Sequence, residues 1–311
     1  ASDESVHTAL DTALAGIGIR TAGLRIQRSE NVYESSNVSE VLKCSCPELT
    51  LPPLLCKYGP SQDHDHLGLR HGLTYEAAVY RNVLRDRFAA PRFFGSYDDP
   101  ESGLSWLFLE YLGEGWQLDL GPEDAIVDAA SMMGELQRRA CAAAAHESGV
   151  LNRYDRRYFA TCLSEAQATA GRWRARVSSF DHLVRGFADR VELLLRAQAT
   201  LVHGEFTPHN VVWAHEHPYV VDWEQAGRGA GEIDLAGLTD DWDEELVRRS
   251  TAAYVRARWP GGAPQAFAET LEAARFYWLF RWLGDPEEAG TEEEVAWLVE
   301  RAEDVARSTL S

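Results

Sequence analysis

Short apolar stretches separated by turn-forming residues characterise the chain up to about residue 112. Their length and their content of Val, Phe, Tyr and Trp are typical of β-strands. Between the second and third stretches, apolar residues recur at helical spacing over residues 74–84, with Glu76 next to the apolar face. The pattern predicts a helix packed on a small antiparallel sheet, whose strands cover residues 38–44, 54–58, 92–97 and 106–112.

Helical periodicity dominates after about residue 120. Two segments interrupt it, residues 202–213 and 219–223, where polar residues border short apolar runs. The predicted fold class is α+β with two lobes: residues 1–112 form a small lobe with an antiparallel sheet and a helix, and residues 113–311 form a larger, mainly helical lobe. The predicted helices of the larger lobe cover residues 122–143, 153–177, 180–197, 243–258, 264–283 and 292–310.

The composition is that of a globular protein of enzyme size. The 311 residues are 45% hydrophobic and 25% charged, which suits two lobes with separate cores. Residues 1–20 are acidic and lack the basic start of a secretion signal, and no uncharged apolar run reaches the roughly 18 residues of a membrane span. Five cysteines, an odd number, indicate free thiols in a reducing compartment. We therefore expect a cytoplasmic protein.

The charge balance limits the partners. With 30 basic against 49 acidic residues, the formal net charge of −19 repels polyanions over most of the surface, so nucleic acid and anionic membranes are not expected partners. The sequence leaves the oligomeric state open. Only Lys43 and Lys57 are lysines, and every other Lys or Arg position is arginine. A lysine in such a chain indicates a position that needs a compact ammonium group instead of a planar guanidinium group.

The segment VHGEFTPHNVVW, residues 202–213, and its downstream neighbour carry the groups that phosphoryl transfer needs. This reaction requires phosphates to be held, magnesium to be bound by carboxylate and amide oxygens, and an acidic side chain beside the acceptor hydroxyl. Glu205 supplies the acid, while Asn210 and Asp222 supply oxygens for a metal ion. The alternative is a polar loop between strands, because Asn and Asp at strand ends are common turn formers. The conjunction of the three residues favours a catalytic site.

Two residues of the first lobe favour the same interpretation. Lys57 ends an apolar run, and Glu76 lies on the next predicted helix. In kinases, a lysine fixed in this way by a helix carboxylate contacts the phosphates of the nucleotide. The alternative is a surface ion pair without function. We prefer the nucleotide site because Lys57 is one of only two lysines in the chain.

Together these motifs resemble the aminoglycoside phosphotransferase and choline kinase-like superfamily, whose fold is related to the protein kinases. The superfamily's loop reads His-Gly-Asp, four residues and Asn, and residues 203–210 of this chain read HGEFTPHN. Its second metal motif, an apolar pair followed by Asp, matches VVD at residues 220–222, and IDLA at residues 233–236 also resembles it. The resemblance extends from residue 31 to about residue 242. It implies a bilobal protein-kinase-like fold.

The resemblance also implies which residues bind the nucleotide. Lys57 would hold the α and β phosphates of ATP or GTP, and Glu76 would position Lys57. Glu110 and Leu112 fall in the lobe connection, which binds the nucleobase through backbone groups.

The remaining site residues take their implied roles from the same comparison. Glu205 stands at the catalytic position, and Asn210 and Asp222 stand where the superfamily has its Mg²⁺ ligands. His203 would brace the loop, and Asp234 would tie down backbone.

Two features depart from the superfamily's pattern. Glu205 replaces aspartate, as in a branch that reads His-Gly-Glu-Phe here, and the extra methylene moves the carboxylate by roughly 1.5 Å. Residues 31–39, where a phosphate-covering loop is expected, contain no glycine. Hydroxyl groups and ordinary backbone amides would therefore cover the phosphates.

The predicted function is Mg²⁺-dependent transfer of phosphate from ATP or GTP to a hydroxyl of a small molecule, such as an aminoglycoside-like antibiotic or another natural product. Two alternatives stay open: a kinase of Ser or Thr hydroxyls in a biosynthetic peptide, and a catalytically inactive, nucleotide-binding pseudokinase. The acceptor site is not defined by the sequence. The aromatic residues at 276–282 and the acidic run 240–245 read either as acceptor walls or as core and a solvated helix start, and the second interpretation is favoured.

Overall fold

The computed structural model describes residues 1–31, 37–46, 49–60, 64–67, 69–84, 90–113, 115–143, 149–173, 180–285 and 289–308. The phosphate-covering loop expected at residues 31–39 lies mainly outside these residues. The chain folds into two compact units. The first comprises Ala1–His66, Arg70–Gly121 and His209–Gln225, and the second comprises Leu67–Leu69, Pro122–Pro208 and Ala226–Ser311. A lobe boundary at residue 112 stays a prediction.

The first unit is built on an antiparallel sheet. The strands before residue 121 are β1 (Arg25–Glu30), β2 (Val38–Cys46), β3 (Leu49–Thr50), β4 (Leu54–Pro60), β5 (His64–His66), β6 (Leu69–His71), β7 (Phe93–Asp99), β8 (Leu104–Glu110) and β9 (Trp116–Gln117). In the sheet, β4 lies between β2 and β8, β1 and β7 are at the ends of this path, and β3 pairs with β2. The four strands predicted from the sequence correspond to β2, β4, β7 and β8, within a few residues at each end.

Helix α1 (Asp3–Gly16) packs on this sheet and is not among the predicted elements. Ser2 begins the helix by accepting a hydrogen bond from the backbone N–H of Ser5. The apolar face shares one core with strand residues that include Leu42, Phe94 and Trp106. That face consists of Val6, Ala9, Leu10, Ala13 and Leu14.

Helix α2 (Leu73–Val79) carries Glu76 and contacts β4, β7 and β8. It continues directly into one π-helical turn, Tyr80–Leu84. The helix predicted at residues 74–84 is therefore confirmed, with a change in hydrogen-bond pattern at Tyr80. Such π turns occur frequently at functional sites.

The second unit is mainly helical, as predicted. Its helices are α3 (Glu123–Ala143), α4 (Arg156–Arg172), α5 (Phe180–Arg196), α6 (Glu232–Leu238), α7 (Glu244–Arg258), α8 (Phe267–Gly284) and α9 (Glu292–Ser308). The strands after residue 121 are β10 (Asn152–Arg153), β11 (Ala199–Val202), β12 (Val211–Ala214), β13 (His217–Val220) and β14 (Gly227–Ala230). Strands β12 and β13 belong to the first unit. Strands β10, β14 and β11 form a small sheet within the second unit. The short helix α6 is not among the predicted elements, and all of its residues are buried.

The structure also bears on membrane-spanning helices and on the state of the cysteines. Within the described residues, no helix combines the length and the apolar character that a membrane crossing requires. The cysteines whose side chains are described, Cys44, Cys56, Cys141 and Cys162, are free thiols.

A substitution at Gly95 of β7 tests the contact between α1 and β7. Gly95 has a φ of +125°, which suits glycine, and a Cβ there would lie 2.6 Å from the backbone oxygen of Ala13 in α1. We expect Gly95→Ala to lower the free energy of unfolding by about 3 kcal/mol or more, because backbone strain adds to the clash. Urea unfolding measures this loss.

Gly103→Ala is the matched control. Gly103 also has a positive φ, +68°, but a Cβ there meets no atom within 4 Å. Its cost should be only the backbone term, about 1 kcal/mol. Equal losses for the two variants would show that α1 does not hold the position against β7 described here.

Candidate active site

A pocket of the first unit gathers most of the predicted site residues. It encloses about 680 Å³ of space, part of which is open to solvent. The predicted residues that line it are Lys57, Glu76, Glu110, Leu112, Asn210 and Asp222. Glu205 belongs to the second unit.

A tight hairpin brings Asn210 and Asp222 together. Strands β12 and β13 pair in register from Val211 opposite Val220 onward, and a two-residue turn joins them. Both turn residues, His215 and Glu216, have positive φ, the conformation of a hairpin turn that matches the twist of the strands. Asn210 precedes β12 and Asp222 follows β13, so both residues lie at the open end of the hairpin. There the backbone N–H of Val221 donates to the carbonyl of Asn210 at 3.0 Å.

Lys57 stands between two carboxylates. Its Nζ lies 2.9 Å from Oε2 of Glu76 and 2.8 Å from Oδ1 of Asp222. Lys57 is 5% exposed and Glu76 is fully buried, so water screens their ion pair only weakly, whereas Asp222 is a quarter exposed. The ammonium thereby connects the central strand β4, helix α2 and the end of the hairpin. The predicted pairing of Lys57 with Glu76 is present in the structure, in the interior and not on the surface.

Burial and the charge of the ion-pair partner act in opposite directions on the pKa values of Lys57 and Glu76. Burial lowers the pKa of Lys57, but the nearby carboxylates of Asp222 and Glu76 outweigh it, so the pKa lies well above the ordinary value. Burial raises the pKa of Glu76 to about 7, with Lys57 opposing the rise. The Oε1 atom of Glu76 has no hydrogen-bond partner among the described residues. The pocket therefore holds a permanent positive charge next to excess carboxylate oxygens.

The backbone of Asp222 is in the left-handed region, with φ of +65°. Asp and Asn adopt this conformation more readily than most residues, although it carries a cost. Non-glycine residues in such conformations cluster at functional sites.

The chemistry of Asn210 and Asp222 suits magnesium. An amide oxygen and a carboxylate are the hard oxygen ligands that Mg²⁺ prefers, and this ion usually keeps waters and substrate phosphates as further ligands. In the described part of the chain, no three His, Cys, Asp or Glu residues cluster as a self-sufficient metal site. The two residues supply two of the oxygen ligands that such an ion would need.

Apolar side chains also line the pocket, together with Glu110 and Leu112. The N–H of Glu110 donates to the carbonyl of Arg92 at 2.8 Å, and the N–H of Tyr111 donates to the carbonyl of Pro53 at 3.0 Å. The carboxylate of Glu110 accepts from the N–H of Arg92 at 3.2 Å. These bonds fix the backbone that follows β8, where nucleobase binding is predicted.

A further carboxylate, Glu224, lies two residues after Asp222 and is 6% exposed. Its Oε1 is 3.1 Å from Nε2 of His71, at the end of β6. Its Oε2 has no hydrogen-bond partner in the part of the chain that the structure describes. Glu224 adds negative charge near Lys57. The sequence gave no signal for His71.

In the second unit, Glu205 is about a quarter exposed and forms an ion pair with Arg281 of α8. Arg281 donates from Nη2 to Oε1 of Glu205 and is itself 2% exposed. The backbone N–H of Glu205 donates to Nδ1 of His203 at 3.2 Å. Arg281 is a functional candidate that the sequence analysis did not single out for chemistry.

Asp234 holds the backbone just before Glu205. Its carboxylate accepts from the N–H groups of His203 at 2.9 Å and Gly204 at 3.0 Å, and from Nε2 of Gln137 at 2.9 Å. The backbone role expected for Asp234 matches these contacts. Gln137 of α3 is fully buried and also accepts from the hydroxyl of Tyr254 at 2.5 Å. No motif pointed to Gln137.

The two segments considered for the acceptor have structural roles in the second unit. In the aromatic segment of α8, the buried residues include Phe276, Tyr277, Trp278, Phe280 and Arg281. In the acidic run, Asp243 caps α7 by accepting from the N–H of Leu246, and Asp240 forms an ion pair with Arg301. The core and helix-start interpretation fits both segments.

Asp234 gives the second unit a specific pH dependence. Burial raises its pKa to about 7, against the ordinary 3.8, although the three donors lower it. Between about pH 4 and 7 the folded protein therefore holds a proton that the unfolded chain releases, so this contribution to stability falls as pH rises through that window. We expect the unfolding free energy of wild type, relative to Asp234→Asn, to fall by on the order of 3 kcal/mol between pH 5 and pH 8.

Urea unfolding of both proteins at the two pH values measures that difference, in which the other titrating groups cancel. A difference that stays constant would show that the three donors keep Asp234 ionised throughout the range.

A model of the phosphotransferase enzyme family matches residues 63–277, more than half of the chain. A search of curated proteins finds no match.

Several solved structures share the fold. The choline kinase LicA from Streptococcus pneumoniae has 13% identity and a TM-score of 0.61, over 91% of this chain and 94% of that chain. A structure of LicA in complex with AMP has 11% identity and a TM-score of 0.59, over 97% and 99% of the two chains. A thermostable mutant of the aminoglycoside phosphotransferase APH(4)-Ia has 17% identity and a TM-score of 0.56, over 92% and 94%.

At these identities the likeness concerns the fold, and it confirms the predicted α+β, protein-kinase-like class. The family match covers the segment that carries Glu76, Glu205, Asn210 and Asp222. The chain belongs to the phosphotransferase enzyme family.

Proposed function

We propose that the protein transfers the terminal phosphate of ATP or GTP to a hydroxyl group of a small molecule. The observation that carries this proposal is Lys57, held at 2.9 and 2.8 Å by Glu76 and Asp222 in a pocket that Asn210 also lines. A buried ammonium beside metal-binding oxygens is suited to a polyphosphate, because phosphoryl transfer depends mainly on positioning and charge.

The nucleotide would lie along this pocket. Leu55, Leu109 and Val212 offer apolar contacts to a base, and the backbone between Glu110 and Leu112 offers polar groups at its edge. The phosphates would then reach Lys57. The AMP complex of LicA supports a nucleotide site in this fold. ATP and GTP stay equal candidates.

Asn210 and Asp222 would hold Mg²⁺ through their side-chain oxygens. When bound, the ion neutralises negative charge on the phosphates. Lys57 supplies a second positive charge, and Glu76 keeps its ammonium in place. In this arrangement Lys57 contacts one carboxylate that positions it and a second that would bind the metal ion.

Glu205 is the proposed catalytic residue. Its carboxylate would accept the hydrogen bond of the acceptor hydroxyl and orient its oxygen toward the terminal phosphorus. The new oxygen–phosphorus bond forms as the bond to the bridging oxygen breaks, and the nucleoside diphosphate leaves. The hydroxyl proton passes to Glu205 or to solvent.

The acceptor is proposed only by class. The structural neighbours include a choline kinase and an aminoglycoside phosphotransferase, which supports a small hydroxylated molecule such as an amino-sugar or another natural product. A Ser or Thr hydroxyl of a biosynthetic peptide offers the same chemistry to Glu205. We further propose a cytoplasmic location, where the nucleotide donors are available.

The two lysines of the chain provide a matched test. We expect Lys57→Met to lower the affinity for magnesium–ATP by about 10- to 100-fold, because a charge-assisted contact is lost. Lys43→Met changes the exposed lysine on β2 and should leave the affinity unchanged. Calorimetric titration measures both affinities, and thermal unfolding checks that each variant folds.

Glu205→Gln separates binding from chemistry in the same assay. We expect unchanged nucleotide affinity and loss of the slow hydrolysis of ATP by water. Binding without hydrolysis in wild type, unaffected by this substitution, would favour a pseudokinase. Equal affinities for the Lys57→Met and Lys43→Met proteins would overturn the proposed nucleotide site.

A further inference from the structure

We propose that Arg281 is a positioning residue for Glu205, and that this pair is the reason a glutamate stands where the superfamily's loop has aspartate. The inference rests on the proposed function, because it assigns Arg281 a role through the proposed catalytic carboxylate. Arg281 lies on α8, some 76 residues along the chain from Glu205.

The first support is the burial of a full positive charge. Arg281 is 2% exposed, and a buried guanidinium is costly unless it is paired and hydrogen-bonded. Burial lowers its pKa, but Glu205, together with the nearby tyrosines Tyr158 and Tyr277, outweighs burial, so the pKa of Arg281 is raised. The arginine therefore stays charged and depends on Glu205 as its acidic partner.

The second support is that α8 is locked in place on either side of Arg281. One turn earlier, the indole N–H of Trp278 donates to the carbonyl of Ile233 at 2.7 Å. A Cβ at Gly237 would lie only 2.7 Å from the Trp278 ring, so α6 and α8 are in close contact there. Phe280 packs on Phe187 of α5 with 4.5 Å between ring centroids. The guanidinium consequently has a fixed position.

The backbone of Glu205 is held independently. Asp234 binds the N–H groups of the two preceding residues, His203 and Gly204. Because the backbone of Glu205 and the guanidinium of Arg281 are both fixed, only a side chain as long as glutamate brings a carboxylate to the guanidinium. An aspartate at position 205 would end roughly 1.5 Å short of the present carboxylate, one carbon–carbon bond, and would leave Arg281 without its contact.

Arg281 thus selects one orientation of the Glu205 carboxylate. Oε1 is bound to the guanidinium, and this sets the direction in which the carboxylate presents its other oxygen. Arg281 acts through Glu205, because a side chain with 2% exposure offers no surface for a substrate.

The test is a kinetic cycle on the full-length protein, with wild type, Glu205→Asp, Arg281→Met and the double variant. The probe is hydrolysis of magnesium–ATP by water. We expect each single substitution to lower kcat by about 10- to 100-fold, because misplacement on this scale has such an effect. The KM for ATP should change less than about twofold, and the double variant should be no slower than the slower single one, since both break the same contact.

Arg275→Met is the control on the same helix. Arg275 is paired with Glu272 but is partly exposed, and we expect its loss to leave kcat unchanged. Arg281→Lys should recover part of the activity, because it restores the charge. A well-folded Arg281→Met protein with wild-type kcat, or a double variant whose losses multiply, would overturn the proposal.

Thermal unfolding of Glu205→Gln, Arg281→Met and their double variant separates this inference from the proposed function. If the pair exists, the double variant is less destabilised than the sum of the single ones. Independent, additive losses would overturn the pairing even where ATP binds. If wild type binds ATP but does not hydrolyse it, the positioning role falls together with the proposed catalysis, whereas a non-additive unfolding cycle would still establish the pair.

Discussion

The contact of one buried ammonium with two carboxylates organises the first unit of this protein. Lys57 of β4 contacts Glu76 of α2 and Asp222 at the end of the β12–β13 hairpin. Taking these charges out of water is expensive, and only mutual contact offsets the cost. The strand, the helix and the hairpin must therefore keep their relative positions. In the proposed function, the same contact prepares the pocket for a negatively charged ligand and its metal ion.

A comparable constraint acts in the second unit on the loop that carries Glu205. Asp234 binds the loop's backbone, and Gln137 binds Asp234 from α3. Arg281 binds the Glu205 carboxylate from α8. The proposed catalytic side chain is thus fixed by groups that do not themselves react. Such support is what positioning-based catalysis demands, since errors of about 1 Å have large effects on rate.

The sequence predicted the residues whose chemistry is unusual for their place in the chain. Lys57 was recognisable because lysine is so rare here, and Asn210 and Asp222 because they border the apolar runs of the hairpin. Helix α1 is not among the predicted elements, although Val6, Leu10 and Ala13 have helical spacing. The local sequence pattern is therefore sufficient to predict this helix.

Other features depend on contacts between distant segments. Gln137, His71 and Arg281 are ordinary polar residues in their own elements, and only the folded chain brings them to Asp234, Glu224 and Glu205. The same holds for the aromatic residues of α8, whose burial shows only in the packing around Trp278 and Phe280. Sequence patterns report a residue's own element, whereas these roles arise from tertiary partners.

The magnesium dependence of ATP binding to wild type and Asp222→Asn decides whether Asp222 binds the metal ion. Asparagine keeps the shape and tolerates the left-handed backbone of Asp222, but it removes the charge. We expect magnesium to raise the ATP affinity of wild type by about tenfold or more and to have little effect on the variant. An equal gain in both proteins would contradict the assignment of Asp222 as a metal ligand, and absence of ATP binding to wild type would contradict the nucleotide site itself.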